Sequence, residues 1–237
     1  DPDESPIDGA PHFTEAYAKF PSRVIEAPIS ETMLTGLCVG MAIEGRRPIL
    51  VHTRADFALF SFEHLINTAA KFQFLHGKPL PFIMRCVVGR GWGQGPIHSQ
   101  SWHHLLAQIP GLQVAIPATA QGVQFWFDKA LSDGVPTILF EPRRLYDVNF
   151  ADNRDEYREW AAGRDVPLDN NGWAKKITLR AIGDTVIEAQ LAANKLNQAN
   201  ISTHVTAIEN MRHIRPYRTA ASLIVDIAPR HQEEGLV

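Results

Sequence analysis

Cysteine is scarce in this chain: there are two among 237 residues, Cys38 and Cys86. Both sit in apolar surroundings, GLCVG and MRCVV, so they read as buried free thiols of a reducing compartment rather than as a disulfide framework. No apolar run approaches the roughly 18 residues that a membrane span requires. The opening residues, DPDESPIDGAP, are acidic and proline-rich, unlike the basic and then apolar pattern of a secretory signal. Neither sign of charge dominates: 23 Lys and Arg against 26 Asp and Glu leave a net charge of −3. That balance argues against binding to nucleic acid or to an anionic membrane surface. Standard catalytic motifs are missing too, with no Walker loop, no G-x-S-x-G elbow and no H-E-x-x-H pair. Residues 89–95 read G-R-G-W-G-Q-G after an apolar run, but the spacing is not G-x-G-x-x-G. His98, His103 and His104 make poor material for a zinc site, because adjacent helical histidines point in different directions. No cysteine or carboxylate stands at ligand spacing beside them.

What is present suits a substantial buried core: 45% of residues are apolar and 21% charged, ordinary for a globular protein. Strand-like and helix-like segments alternate. Residues 23–27 (RVIEA) read as a short strand. Residues 31–43 read as a helix with Ser30 as N-cap and Gly45 as stop. Residues 48–52 (PILVH) read as a strand. Residues 61–75 read as a helix, apolar at Phe62, Leu65, Ile66, Ala69, Ala70 and Phe72. Residues 82–88 (FIMRCVV) read as a buried strand. After the glycine-rich loop come a helix over 102–109, a strand over 113–116, a helix over 120–132 and a strand over 137–140. This alternation predicts an α/β fold with a parallel sheet covered on both faces. Sites in such sheets form at the carboxyl ends of strands, so the loops PISE, TRADF and GRGWGQGPIHSQ should converge on one edge. Residues 151–173 are charged and irregular and read as a linker between a first domain, residues 1–150, and a smaller α/β unit, residues 174–237. The second unit reads as strands over 177–181, 203–208 and 223–227 with a helix over 185–200. Little room is left for a helix before the last strand, and few residues lie beyond it. The second domain is therefore expected to be partial.

Six segments occur in order at compatible spacings: RVIEAPISETMLTGLCVGMAIEGRRPI, ADF, LINTAAK, GPIHSQS, PGLQVAIPAT and LFEPRRLYD. The pattern resembles the β subunit of the 2-oxo-acid dehydrogenase decarboxylases of the pyruvate and branched-chain type, within the transketolase-like thiamine-diphosphate superfamily. It is dense over residues 21–147 and continues more weakly through RAIGDTVIEAQLAAN and MRHIRP. The resemblance implies a parallel-sheet pyrimidine-binding domain followed by a smaller domain of the transketolase C-terminal kind. It also implies roles for particular residues. Glu31 falls on the family's glutamate, which hydrogen-bonds a ring nitrogen of the cofactor's aminopyrimidine. Phe57 would stack on that ring, Ile29 would line the same pocket, and His98 would face the substrate. A carboxyl group against the ring nitrogen in a dry site can share a proton and bias the ring's tautomer, which activates the thiazolium carbon. An aromatic wall suits a flat ring. Each residue also has a plain structural reading: Glu31 as a first-turn acid favoured by the helix dipole, Phe57 as core, His98 as a loop histidine.

Departures from the family pattern cluster on the substrate side. Glu63 and His64 stand where the family has Asp-Gln, Gln108 stands where it commonly has histidine, HTRADF is more basic, and the glycine-rich loop carries Trp92. Missing altogether is the G-D-G…N segment with which thiamine enzymes hold Mg²⁺ and the diphosphate; Gly183-Asp184 is followed by Thr185. The resemblance therefore implies half of an active site, with no metal ligand of its own. An α-type subunit in a heterotetramer would supply the other half, with thiamine diphosphate across the interface and Mg²⁺ on the partner's side. Gly36, Gly40 and Ala42 fit a close helix contact, across such an interface or within the chain. The activity implied is decarboxylation of a 2-oxo acid with transfer of the acyl group, with a lipoyl carrier as a further partner. The alternative is a related enzyme moving a ketol or acyl unit onto a sugar or another small acceptor. A non-enzymatic scaffold is a third reading, which the intact Glu31 opposes. The implied location is the cytoplasm, or the mitochondrial matrix in a eukaryote.

Overall fold

A computed structural model describes residues 14–89, 95–146, 166–167, 177–211 and 223–227. Among these residues, eight strands form two four-stranded sheets. In the first, β1 (Ile49–His52), β2 (Ile83–Val88), β3 (Gln113–Ala115) and β4 (Thr137–Pro142) run parallel in the order β1-β2-β4-β3. The central pair, IMRCVV and TILFEP, lacks polar alternation because both of its faces are covered. One row, Leu50, Met84, Cys86, Ile138 and Phe140, packs with Leu65, Leu106 and Leu112. The opposite row, Ile83, Ala115 and Leu139, packs on Trp126 and Ala130 of a helix that covers the other face. Arg85 breaks the apolar run of β2. Its Nε donates to Glu141 Oε1 at 2.7 Å and its Nη2 to Oε2 at 2.6 Å, so the charge is neutralised by a bidentate partner across the sheet.

In chain order the helices are α1 (Thr14–Lys19), α2 (Glu31–Ile43), α3 (Ala70–His76), α4 (His103–Leu106), α5 (Ala120–Asp133) and α6 (Thr185–Gln198). The sequence reading of α2, α5 and α6 agrees with these bounds closely. Two readings need correction. Residues 23–27 are not a strand: Pro21–Arg23 forms a 3-10 turn, residues 24–27 pair with no strand among the described residues, and Ile25 is left 78% exposed. Residues 61–75 are not one α-helix. A 3-10 turn over Ala55–Ser61 leads into a π-helical turn over His64–Ala69, and only then into α3. Gly111 packs against Ala70, the first residue of α3 and the C-cap of the π turn. Gly111 has φ +96°, and a Cβ there would lie 1.8 Å from the Ala70 carbonyl oxygen.

The second sheet contains β5 (Val166–Pro167), β6 (Ile177–Ile182), β7 (Thr203–Ile208) and β8 (Leu223–Ile227) in the order β5-β7-β6-β8, parallel except for β5. Helix α6 lays Val186, Ala189 and Ala193 over Leu179, Ala181, Val205 and Ala207. β5 falls inside the irregular stretch 151–173, whose other residues lie outside those described. The two sheets touch directly. The backbone after β7 runs beside the free edge of β3, with Ile116 N donating to Glu209 O at 2.9 Å and Met211 N to Val114 O at 3.1 Å. Among the described residues no helix is long and apolar enough to cross a membrane.

Candidate functional site

Helix α2 starts on Glu31, immediately after Pro28-Ile29-Ser30. Ser30 makes no side-chain cap bond. The Glu31 side chain is half-buried, and among the described residues its carboxylate has no hydrogen-bond or ion-pair partner. The backbone beneath it is firmly held. Thr35 Oγ1 donates to the Glu31 carbonyl oxygen at 2.7 Å, and Ser61 Oγ reaches the same atom at 3.4 Å.

The turn over Ala55–Ser61 is the hub of the site, because it touches both flanking loops. At its far end, Thr32 Oγ1 of α2 donates to the Phe60 carbonyl at 2.7 Å. At its near end, Asp56 is buried and its Oδ1 accepts from Gln100 twice, from the backbone N at 3.2 Å and from Nε2 at 2.9 Å. Gln100 closes the His98-Ser99-Gln100 segment, so this double bond brings that segment against the turn. The rings of Phe57 and His98 then meet edge to face, 5.6 Å apart at 83°. His98 Nδ1 is buried and, among the described residues, has no hydrogen-bond partner, and neither has the neighbouring Trp102 Nε1. The loops PISE and TRADF and the described end of the glycine-rich loop thus converge on one edge of the first sheet; residues 90–94, with Trp92, lie outside the described residues.

Ile29 is 93% exposed. Ile25, Met33, Leu37, Phe60 and Ile97 are also exposed. Gly36 has an intrachain use, since a Cβ there would lie 3.0 Å from His64 Nε2, whereas Gly40 faces open space. His64 in turn lies 3.2 Å, through Nδ1, from Glu63. Gln108 is exposed and donates to the carbonyl of His104 at 3.1 Å. Among the described residues no group of three or more His, Cys, Asp or Glu could hold a metal ion.

Sequence reasoning missed Asp56, Gln100 and the polar residues under Glu31. Asp56 and Gln100 are 44 residues apart, and nothing local announces their bond. His52 left a faint signal, as the polar end of the apolar strand PILVH. It is buried, and burial pushes its imidazole pKa down while the nearby Glu31 carboxylate draws it back up.

A parallel α/β sheet with a helix-start glutamate at its carboxyl edge defines the architecture of the site. Residues 7–148 match the family described as transketolase, pyrimidine binding domain, and the chain belongs to that family. It is 31% identical over 201 residues to the pyruvate dehydrogenase E1 component subunit beta-2, mitochondrial, of Oryza sativa subsp. japonica, an alignment that covers 83% of this chain and 52% of that protein. It is 30% identical over 186 residues to the acetoin:2,6-dichlorophenolindophenol oxidoreductase subunit beta of Bacillus subtilis (strain 168), covering 78% of this chain and 53% of that one. A solved structure described as a split gene transketolase, inactive beta4 tetramer, aligns with a TM-score of 0.68 at 23% identity over 87% of this chain and 64% of that chain. A transketolase from Pichia stipitis aligns with a TM-score of 0.63 at 16% identity over 78% and 27%. These two likenesses are of fold. The chain spans about half the length of the curated relatives it matches.

Proposed function

We propose that this chain is the β-type subunit of a thiamine-diphosphate enzyme that decarboxylates a 2-oxo acid and transfers the resulting acyl group. The observation that carries the reading is the Glu31 carboxylate, which stands without a partner at the start of α2 while the backbone under it is held by two hydroxyls. The residues fit the pyrimidine half of the cofactor. Glu31 offers a carboxyl group to a ring nitrogen, Phe57 and Ile29 offer apolar walls, and the orphaned Nδ1 of His98 awaits a polar group on the substrate side. When bound, thiamine diphosphate supplies a nucleophilic thiazolium carbon and an electron sink for decarboxylation. The chain's own work is then to hold a proton between Glu31 and the ring nitrogen, to orient the ring against Phe57 and to present His98 to the substrate.

The sequence carries no G-D-G…N segment of the kind that holds Mg²⁺ and the diphosphate. We assign the diphosphate half to an α-type subunit in a heterotetramer. The exposed apolar side chains near Glu31 in sequence, Ile25, Ile29, Met33 and Leu37, support this, because exposed apolar groups of that number suit a contact surface. A lipoyl carrier would accept the acyl group. In this reading residues 1–150 bind the pyrimidine, 151–173 link, and 174–237 belong to a transketolase C-terminal-like domain. One observation favours a second reading, transfer of a ketol or acyl unit to a sugar or another small acceptor. Gln108 turns to its own helix, so the position where the family commonly has histidine supplies no acid–base group. Calorimetry tests the main reading. The isolated chain should bind thiamine diphosphate very weakly, and adding the α-type subunit should give tight, Mg²⁺-dependent binding. Micromolar binding by the isolated chain would overturn the half-site assignment.

A further inference from the structure

β1 ends on His52, one pleat beyond Leu50 on the core-facing side of the first sheet, beside Cys86 of β2. The side chain is 6% exposed. Its Nε2 lies 3.4 Å from Ser61 Oγ, Ser61 Oγ lies 2.7 Å from Thr35 Oγ1, and Thr35 Oγ1 lies 2.7 Å from the Glu31 carbonyl oxygen. Ser61 and Thr35 are themselves fully buried. Three polar side chains, from β1, the 3-10 turn and α2, thus form one line through the core, ending at the residue that opens α2. An apolar core would be cheaper to pack, and buried polar groups are kept only when each has its partner. The roles proposed above for Glu31, Phe57, Ile29 and His98 make no use of this line.

We infer that His52 is a positioning residue for Glu31: through Ser61 and Thr35 it fixes the first turn of α2. The inference rests on the reading of Glu31 given above and deepens it.

Each hydroxyl has one proton to donate. With Nε2 of His52 bare, Thr35 can donate to Ser61 and Ser61 to the imidazole. With a proton on Nε2, the ring donates to Ser61, Ser61 to Thr35, and Thr35 to the Glu31 carbonyl. Charging His52 stops Ser61 donating to the ring and turns its proton to Thr35 or to the Glu31 carbonyl, so the state of the ring is passed along the line to the backbone of Glu31. Burial pushes the His52 pKa down, and the Glu31 carboxylate draws it back up through space. Other titratable or charged groups stand on the elements packed around β1. Cys86 of β2 and Cys38 of α2 have thiols that burial pushes up, so they stay uncharged. Asp56 is occupied by Gln100, Arg54 donates to the Thr53 carbonyl, and His64 leans on Gly36 beside Glu63. Glu31 is the charge that acts on His52.

The test uses the full chain, free of cofactor, with isotopically labelled histidine and glutamate. The His52 imidazole is titrated by NMR in the parent and in Glu31→Gln. His52 should titrate at lower pH in Glu31→Gln, because the attracting charge is gone; identical titration curves would overturn the electrostatic link. Amide exchange in the first turn of α2 is then compared with that around Val39 in Ser61→Ala, and in Thr35→Val should Ser61→Ala not fold. Exchange should speed several-fold in the first turn alone, and unchanged rates would overturn the positioning role. Both measurements are independent of cofactor. Failure of the pyrimidine reading would appear elsewhere, as a Glu31 carboxyl resonance that stays put when thiamine diphosphate and the partner subunit are added.

Discussion

A carboxylate at the first position of a helix is stabilised by the amide dipoles whatever else it does, so a test of Glu31 has to separate that service from proton handling. Glutamine keeps the shape and a hydrogen bond to the ring nitrogen but cannot exchange the proton. Glu31→Gln should fold, assemble and bind cofactor, while hydrogen–deuterium exchange at the thiazolium carbon slows on the order of a hundred- to ten-thousandfold, the range for one positioned acid–base group. A dipole role alone would leave exchange at the parent rate and cost less than about 1 kcal/mol of stability. For His98, edge-on to Phe57, His98→Ala should lower turnover roughly a hundredfold with cofactor affinity unchanged. Unchanged turnover would make His98 a loop residue. His52 adds a pH dependence. Burial lowers its pKa in the folded chain from the ordinary 6.5, so on acidification the unfolded chain takes up the proton first. The His52 contribution to stability is complete above the unfolded pKa and is lost as pH falls through the folded one. Urea unfolding of His52→Phe should accordingly show a smaller loss of stability on acidification than the parent. At this scale short motifs singled out Glu31, Phe57 and His98, and the fold brings the rings of Phe57 and His98 together. Asp56, Gln100 and the His52 line were not legible, because each is a pairing between distant segments.

Periodicity placed most elements, and its failures have local causes. Residues 61–75 carry apolar side chains at helical spacing, yet the first turns are 3-10 and π in form. Three constraints act there that no periodic pattern encodes: Ser61 must reach Thr35, Phe60 must accept from Thr32, and Gly111 must fit against Ala70. Residues 23–27 have strand-like composition, but a strand needs a ladder, and nothing among the described residues pairs with them. Gly111 offers the clearest test of the distorted segment. Alanine there would meet both an unfavourable positive φ and the Ala70 carbonyl oxygen, 1.8 Å from its Cβ. Backbone cannot swing aside as a side-chain tip can, so Gly111→Ala should cost about 2–5 kcal/mol in urea unfolding, the sum of left-handed strain and overpacking. A loss below about 1 kcal/mol would mean that the π turn relaxes freely and that its form is not held in place by Gly111.

Over the whole molecule, strand–helix alternation made the α/β class and parallel pairing legible, but the way one sheet meets the other was not. That junction depends on Glu209, which in sequence is only a charge after an apolar strand. In the fold it is 3% exposed and accepts from Ala118 N at 2.8 Å and from Trp126 Nε1 at 3.0 Å, partners 91 and 83 residues away. Asn210 then pairs with Ala115, closing the edge of β3. Arg144, just after β4, adds a half-exposed clasp to Asp184 and Glu188 at the start of α6, where solvent screening leaves little net stabilisation. The buried carboxylate should therefore dominate the coupling. Glu209→Ala would orphan the Trp126 indole N–H and the Ala118 amide, each costing about 1–3 kcal/mol when buried without a partner. Trp126→Phe removes one of those donors and should cost less. In the parent, amide exchange under increasing denaturant should release β2 and β4 together with β6 and β7, because the sheets share core residues such as Ile182, Ile208 and Met211. In Glu209→Ala, β6 and β7 should open at lower denaturant than β2 and β4. If all four strands still opened together, with only the midpoint shifted, the shared apolar core would be the coupling element and Glu209 a contributor to stability alone.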